Sequence, residues 1–270
     1  MSSRLAILAD ITKNPENHYV NIHTSTDGGG AARAQLGPAI VSAGAISSAL
    51  ASNLDKNATT VAPGGLLSVF GTDLAKVATD LSGWAGKSLP RSLNGASVTI
   101  GGKSAPILYV SRTQLNVQVP VDVGTGPQAV VVNNGVGPSA SFNVNVAATA
   151  PAIFFNPVAA VLKNSDYSLV SDRNPAHADD VVLVYATGLG VTTPALATGA
   201  VVPATTIANT ATVTATVGGK DAAVIASIAS PGYAGLYQVA LRIPGGQSGN
   251  VPVVLQQGST KSNAVNIAVQ

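Results

Sequence analysis

The sequence predicts an all-β protein made of two β-sandwiches in tandem. Short stretches of alternating apolar and polar residues predict strands, because successive side chains of a strand point to opposite faces of a sheet. Turn-forming residues separate these stretches, and the 270 residues include 28 Gly and 16 Pro. Several motifs also occur twice in the same order, which predicts two copies of one domain.

Alternation is clearest in four stretches. They are "FNVNV" (Phe142 to Val146), "TVTATV" (Thr212 to Val217), "YQVALRI" (Tyr237 to Ile243) and "NAVNIAV" (Asn263 to Val269). In the third stretch, the pattern predicts one inward face and one outward face. The inward residues are Tyr237, Val239, Leu241 and Ile243, and the outward ones include Gln238 and Arg242. Short strands punctuated by Gly-Gly, Asn-Gly and Pro-Gly turns predict a β-sandwich.

Four motifs return later in the chain in the same order. "PAIV" at Pro38 returns as "PAIF" at Pro151, and "LLSVFGTDL" at Leu66 returns as "VVLVYATGL" at Val181. Gly101-Gly102-Lys103 returns as Gly218-Gly219-Lys220, and "VQVP" ending at Pro120 returns as "LRIP" ending at Pro244. The repeat predicts one sandwich over residues 38–147 and a second over residues 150–270. The short "AATA" segment between them predicts that the two copies touch. Phe70 and Tyr185 occupy equivalent places, and we expect both to be core aromatics.

The repeated motifs resemble a known family. "TTVAPGGLLSVFGTDLA", "SLNGASVTIGGKSAPILYVSRTQLNVQVP", "VVLVYATGLG" and "PGYAGLYQVALRIP" are similar to a tandem C-terminal module of large secreted proteins of soil bacteria, related to IPT/TIG immunoglobulin-like domains. The resemblance covers about residues 38–270. It implies two immunoglobulin-like sandwiches at the end of exported, multi-domain proteins, and it transfers no catalytic residue.

The leading segment resembles a different family. "NPENHYVNIHTSTDGGGAARAQL" (Asn14 to Leu36) is similar to the closing hairpin of a chordin-type (CHRD) domain, with Ala34 where that family usually has Gly. The resemblance implies that residues 1–37 are the end of such a domain. No signal peptide precedes the hairpin, so we expect an internal or truncated start in a longer protein that is secreted or held at the cell surface.

Composition narrows the classes of partner. The 14 Lys and Arg are spread singly along a chain of net charge +2, which argues against nucleic acid. No apolar run reaches the length of about 18 residues that a membrane span needs. The absence of cysteine excludes disulfides, thiolate metal sites and a cysteine nucleophile. Few charges are available to block strand edges, so self-association is possible.

Histidine and aspartate offer one candidate catalytic region. His18 and His23 differ by five positions on a strand, so they point to opposite faces and cannot chelate one metal together. His177 lies beside Asp179 and Asp180, where a His–Asp pair could serve a hydrolase acting on an ester or glycosidic bond. The chain has no G-x-S-x-G motif to supply a serine nucleophile.

A polar stretch before this region offers a candidate calcium site. Asn164, Asp166 and Asp172 carry the hard oxygen ligands that calcium prefers. The stretch lacks the spacing, the central Gly and the terminal Glu of an EF-hand loop. A hairpin turn and a loop whose polar residues cap backbone groups explain the stretch adequately. No other cofactor is predicted.

Two loop aromatics are candidates for stacking on a sugar ring. Trp84 lies in "DLSGWAGKSLPRSL" and Tyr233 in "SPGYAG". Trp84 could equally cover the edge of its sandwich. We expect a non-catalytic spacer, adhesion or interaction module that contacts a cell-surface protein or polysaccharide. The alternatives are a hydrolase that uses the His177 region and a carbohydrate-binding module that uses Trp84.

Overall fold

A computed structural model describes residues 19–22, 32–35, 42–52, 59–81 and 88–270. The chain divides into two compact units, Met1–Ser42 and Ala43–Gln270. The first unit contains an antiparallel hairpin of β1 (Tyr19–Ile22) and β2 (Ala32–Gln35), which confirms the predicted N-terminal hairpin. The described residues form strands, turns and loops, and none of them belongs to a helix that could cross a membrane.

The second unit begins with a sandwich of eleven strands. They are β3 (Ala45–Ala51), β4 (Thr60–Val61), β5 (Leu66–Thr72), β6 (Thr79–Asp80), β7 (Ser92–Leu93), β8 (Ala96–Ile100), β9 (Lys103–Ala105), β10 (Ile107–Val110), β11 (Gln114–Gln118), β12 (Gly126–Asn133) and β13 (Phe142–Val146). One sheet has the order β3-β5-β11-β10-β6. The other has the order β4-β13-β12-β8-β7, with β9 paired to β8. Alternate residues such as Leu67, Val69 and Val130 bury their side chains between the sheets.

A second sandwich follows with ten strands. They are β14 (Ala152–Ile153), β15 (Val161–Lys163), β16 (Val181–Thr187), β17 (Thr214–Val217), β18 (Lys220–Ala222), β19 (Val224–Ala229), β20 (Tyr237–Arg242), β21 (Gly249–Gln257), β22 (Thr260–Lys261) and β23 (Val265–Val269). One sheet has the order β14-β16-β20-β19, with β15 also paired to β16. The other has the order β18-β17-β21-β22, with β23 also paired to β21.

The two sandwiches repeat the same strand pattern, as the motif order predicts. β5, β11 and β10 are adjacent in the first, and β16, β20 and β19 are adjacent in the second. The Gly-Gly motifs form the tight turns of the β8–β9 and β17–β18 hairpins. All four glycines have positive φ, between 57° and 78°, which glycine adopts without steric cost. Each sandwich has its own apolar core, and burying one valine or leucine side chain contributes about 1.5–3 kcal/mol.

Side-chain burial confirms one prediction and corrects another. On β20, Tyr237, Val239 and Leu241 are buried, and Arg242 is exposed. The expectation that Phe70 and Tyr185 are core aromatics is wrong, because both are half-buried on the outer face of their sheets. The residues of these strands that point into the core are aliphatic neighbours instead, Val69 beside Phe70 and Val184 and Ala186 beside Tyr185.

The sandwiches contact each other directly. The Leu66 N–H donates to Thr187 Oγ1 at 2.7 Å, and the Gly199 N–H donates to Gln118 Oε1 at 2.7 Å. Thr187 and Gln118 are both buried, so these bonds lie inside the contact rather than at its rim. The boundaries at residues 38, 147 and 150 stay a prediction.

Candidate functional site

The second sandwich keeps all but one of its aromatic side chains out of its core. Residues 151–270 include six aromatic residues: Phe154, Phe155, Tyr167, Tyr185, Tyr233 and Tyr237. Tyr237 is buried, at 3% exposure, and the others are half-buried or exposed. Large aromatic side chains contribute most when they are removed from water, so their concentration on one surface marks a candidate binding site.

Strand register shows which residues share the outer face of this sheet. Tyr185 pairs with Gln238, which pairs with Ile228 on the next strand. In the row below, Leu183 and Ala226 flank Ala240 in the same way. Cross-strand partners point to the same side of a sheet, so these uncharged side chains share its outer face, where Leu183 is itself buried.

Phe154 belongs to this surface. Its N–H donates to the Tyr185 carbonyl oxygen at 3.0 Å, which continues the pairing of β14 with β16. The preceding residue, Ile153, is fully buried in the core. Because successive residues of a strand alternate, Phe154 points outward beside Tyr185.

Two exposed tyrosines lie in loops of the same sandwich. Tyr167, 65% exposed, lies in the turn after β15, and Tyr233, 58% exposed, lies in the loop between β19 and β20. Partial burial raises the pKa of Tyr185, and the nearby Tyr233 and Tyr167 raise that pKa further. We call Phe154, Tyr167, Tyr185 and Tyr233 the aromatic face.

The described part of the chain also contains two pockets, and neither is lined by a residue of the aromatic face. A pocket of about 240 Å³ lies at the edge of the second sandwich, and we call it the edge pocket. Its main lining residues are Phe155, Val158, Ser171, Asp172, Asn250 and Asn266. Another, of about 270 Å³, lies where the sandwiches meet and is bordered by Gln118, Leu196 and Tyr237.

The candidate catalytic residues form a backbone-capping turn. The Asp180 carboxylate accepts the His177 N–H at 2.8 Å and lies 3.6 Å from His177 Nδ1. Asp179 has φ 67°, and its carbonyl oxygen accepts a hydrogen bond from Arg242. Within the described residues, no hydrogen bond joins the His177 side chain to a serine or threonine hydroxyl. The arrangement orders the loop before β16, and a catalytic role stays a prediction.

The three calcium candidates make different contacts. Asp166 accepts hydrogen bonds from the backbone and the hydroxyl of Ser168, at 2.9 and 2.7 Å, and these bonds lower the pKa of Asp166. Asn164 forms a backbone bond to Val181, and Asp172 lines the edge pocket. No group of three or more His, Asp or Glu side chains in the described chain could hold a metal ion. Calcium binding stays a prediction.

Of the predicted aromatic candidates, Tyr233 is on the aromatic face. Trp84, His18 and His23 lie outside the described residues. Sequence reasoning missed Tyr167 and Phe154, and it assigned Tyr185 to the core. The signal that found Tyr233 was the "SPGYAG" loop, because Pro and Gly predict a turn and turns lie at the surface.

Comparison with known proteins gives one family match. The IPT/TIG domain family matches residues 52–149, which lie in the first sandwich. Together with the packed sheets described above, the match gives this part of the chain an immunoglobulin-like fold, as the resemblance implied. No curated protein sequence matches the chain.

Several solved structures are similar to the chain at low identity. The mixed-linkage glucan utilization locus protein SGBP-B of Bacteroides ovatus, in complex with a heptasaccharide, is 14% identical with a TM-score of 0.33, over 82% of this chain and 45% of that one. SGBP-B from a complex xyloglucan utilization locus in Bacteroides uniformis is 11% identical with a TM-score of 0.27, over 84% and 50%. Domains 5–6 of the S-layer protein SbsC are 16% identical with a TM-score of 0.27, over 85% and 97%. The chain thus spans half or less of the two SGBP-B structures.

Proposed function

We propose that the chain is a non-catalytic extracellular module that binds a polysaccharide through the aromatic face of its second sandwich. The observation that carries this proposal is the position of the aromatic side chains. Apart from Tyr237, the core is filled by valine, alanine, leucine and isoleucine, while Phe154 and Tyr185 lie side by side on the outer face of their sheet and Tyr167 and Tyr233 are exposed in loops of the same sandwich. Contiguous exposed apolar surface on a protein is a mark of an interaction site.

The chemistry of the surface suits a sugar polymer. A pyranose ring presents apolar C–H groups on its faces and hydroxyl groups around its edge. The ring of Tyr185 can pack against such a face, and the hydroxyls of Tyr167 and Tyr233 can exchange hydrogen bonds with the edge. Gln238 supplies a further polar group in the same row as Tyr185.

A location outside the cell belongs to the same proposal. It is supported by the resemblance of residues 38–270 to C-terminal modules of secreted proteins. The resemblance of residues 1–37 to the end of a chordin-type domain would make this chain part of a longer exported protein. A cell-surface protein is the alternative partner, and the experiment below separates the two.

Binding to insoluble polysaccharides tests the proposal. We would incubate the purified chain with a panel of plant, fungal and bacterial cell-wall polymers and measure the bound fraction against polymer concentration. Tyr185→Ala and Tyr233→Ala should each weaken binding about tenfold, which corresponds to the loss of one aromatic contact. Tyr109→Ala, which removes a half-exposed tyrosine of the first sandwich, is the matched control and should bind normally.

Three results would contradict the proposal. Binding that survives both aromatic-face substitutions but is lost in Trp84→Ala would move the platform to the first sandwich. Release of soluble sugar or free acid from the polymer, abolished by His177→Ala, would indicate a hydrolase. No binding to any polymer on the panel would leave a protein partner or a spacer role.

A further inference from the structure

The edge pocket combines exposed apolar side chains with polar side chains that have no protein partner. Phe155 is 45% exposed and, with Val158, forms the apolar side of the pocket. Asp172, Asn250 and Asn266 line the polar side, and all three are exposed. Within the described residues, none of these three side chains makes a hydrogen bond to the protein.

Polar side chains nearby are used differently. The Asp166 carboxylate accepts two hydrogen bonds from Ser168 and so closes its own turn. The Asn263 side chain accepts the Ile153 N–H at 2.8 Å and donates to the Ile153 carbonyl at 3.1 Å. The polar side chains of the edge pocket are therefore not used to close a turn or to tie two strands together. The Asn263 bonds also tie β14 to the segment before β23, so the chain that leads to Phe155 is anchored to the segment that leads to Asn266.

Strand register positions the two amides. Asn250 on β21 pairs with Ala268 on β23, and Asn266 on β23 pairs with Pro252 on β21. The two asparagines are therefore diagonal neighbours on the outer face of one sheet, with Cβ atoms about 7 Å apart. Each asparagine amide can donate and accept hydrogen bonds, and the Asp172 carboxylate can accept them. These groups can therefore bind hydroxyl groups, which both donate and accept hydrogen bonds.

We propose that the edge pocket is a binding site for one pyranose residue of a saccharide. Phe155 and Val158 pack against the C–H face of the ring, and Asp172, Asn250 and Asn266 hydrogen-bond to its hydroxyl groups. The edge pocket shares no residue with the aromatic face, so this site does not rest on the proposed function. One carboxylate is a poor calcium site, because calcium takes six to eight oxygen ligands in proteins, usually from several carboxylates.

Nuclear magnetic resonance of the full chain labelled with ¹⁵N tests this site. The probes are methyl β-D-glucopyranoside, methyl β-D-galactopyranoside and methyl α-D-mannopyranoside. At least one of them should shift the side-chain amide signals of Asn250 and Asn266 saturably, with a Kd on the order of 1–10 mM, as expected for a small ligand in a shallow pocket. Asn266→Ala and Phe155→Ala should each weaken this binding about tenfold.

The first sandwich provides the matched control. Asn143 lies on β13 at the position equivalent to Asn266 on β23 and is exposed as well. Asn143→Ala should leave the glycoside titration unchanged. The backbone amide spectra of the variants should overlay on the wild-type spectrum away from the substituted residue, which shows that each variant is folded.

Three outcomes would overturn the proposal. The first is the absence of a saturable shift with all three glycosides up to about 100 mM, far above the expected Kd. The second is a shift that persists unchanged in Asn266→Ala. The third is calcium chloride moving the same amide signals when the glycosides do not, which would make the pocket a metal site. Polymer binding and glycoside shifts are measured separately, and Tyr185→Ala should affect only the former, so failure of one proposal is distinguishable from failure of the other.

Discussion

Tyr237 shows what the core of the second sandwich requires of an aromatic residue. Its ring packs among the core side chains, and its hydroxyl donates to the Gly190 carbonyl oxygen at 2.6 Å. Burial raises the pKa of Tyr237, because the phenolate cannot be solvated inside the protein. A tyrosine can therefore occupy this core only where its hydroxyl has a fixed acceptor.

This arrangement predicts a stability loss at high pH. The folded-state pKa of Tyr237 lies above the unfolded value of about 10. Its contribution to stability is fully present below pH 10 and is lost as pH rises from there toward the folded-state pKa. The free energy of unfolding should then fall by about 1.4 kcal/mol per pH unit more steeply in wild type than in Tyr237→Phe.

Urea unfolding between about pH 8 and pH 11 measures this difference. At the lower end Tyr237→Phe should be less stable than wild type by about 1–3 kcal/mol, because the Gly190 carbonyl loses its donor. Tyr109→Phe controls for removal of a tyrosine hydroxyl and should keep the wild-type slope. Parallel pH profiles for wild type and Tyr237→Phe would show that the hydroxyl is not buried as described.

At this scale the sequence predicts only part of the candidate site. Alternation placed Tyr237 inward correctly, because β20 has polar residues on its other face. It failed for Tyr185, because Val181, Leu183 and Tyr185 are apolar like the inward residues of β16, and apolarity alone cannot distinguish the two faces. Because the aromatic face includes Tyr185, it could not be predicted once Tyr185 was assigned to the core.

Strands β5 and β16 show how repeated elements diverge. Gly71 on β5 corresponds to the buried Ala186 on β16. A Cβ atom on Gly71 would lie 2.0 Å from the Ala45 carbonyl oxygen, where the pairing of β3 with β5 shifts register. In the second sandwich β14 pairs with β16 without such a shift, so alanine fits there.

Gly71→Ala should therefore destabilise the first sandwich by about 1–3 kcal/mol, the range for forcing extra volume into a packed site. Thermal unfolding followed by circular dichroism measures the change. Gly245→Ala is the matched control, because a Cβ atom there would meet no other atom within 4 Å. Equal transition temperatures for the two variants would show that β3 can move away from β5 at little cost.

For the whole molecule, the sequence predicts the two sandwiches but not the residues that join them. Tandem sandwiches follow from motif order, since each motif encodes a local strand or turn. The contact between them involves Gln118 and Thr187, which lie far from their partners Gly199 and Leu66 in sequence. No periodicity or turn signal distinguishes such residues from ordinary polar positions at strand ends, so the bonds became visible only in three dimensions.

These bonds predict that the two sandwiches unfold together. Gln118 also donates to the Gly64 carbonyl oxygen at 3.1 Å, and Thr187 donates to the Gly235 carbonyl oxygen at 3.0 Å. Each of the two side chains is therefore hydrogen-bonded to one residue of the first sandwich and one residue of the second. Scanning calorimetry of wild type should give one transition, with equal calorimetric and van't Hoff enthalpies. The Gln118→Ala/Thr187→Ala variant leaves buried backbone groups unpaired, at about 1–3 kcal/mol each, and should separate the profile into two transitions.

Gln114→Ala/Thr214→Ala is the matched control for this variant. It also removes one glutamine and one threonine, but their bonds stay within the first and the second sandwich respectively. It should lower stability slightly and keep a single transition. If the Gln118→Ala/Thr187→Ala variant also kept a single transition with equal enthalpies, apolar packing between the sandwiches would be sufficient to couple them. Two transitions in wild type would mean that the sandwiches are energetically independent, and the aromatic face and the edge pocket would then be properties of a second sandwich that folds without the first.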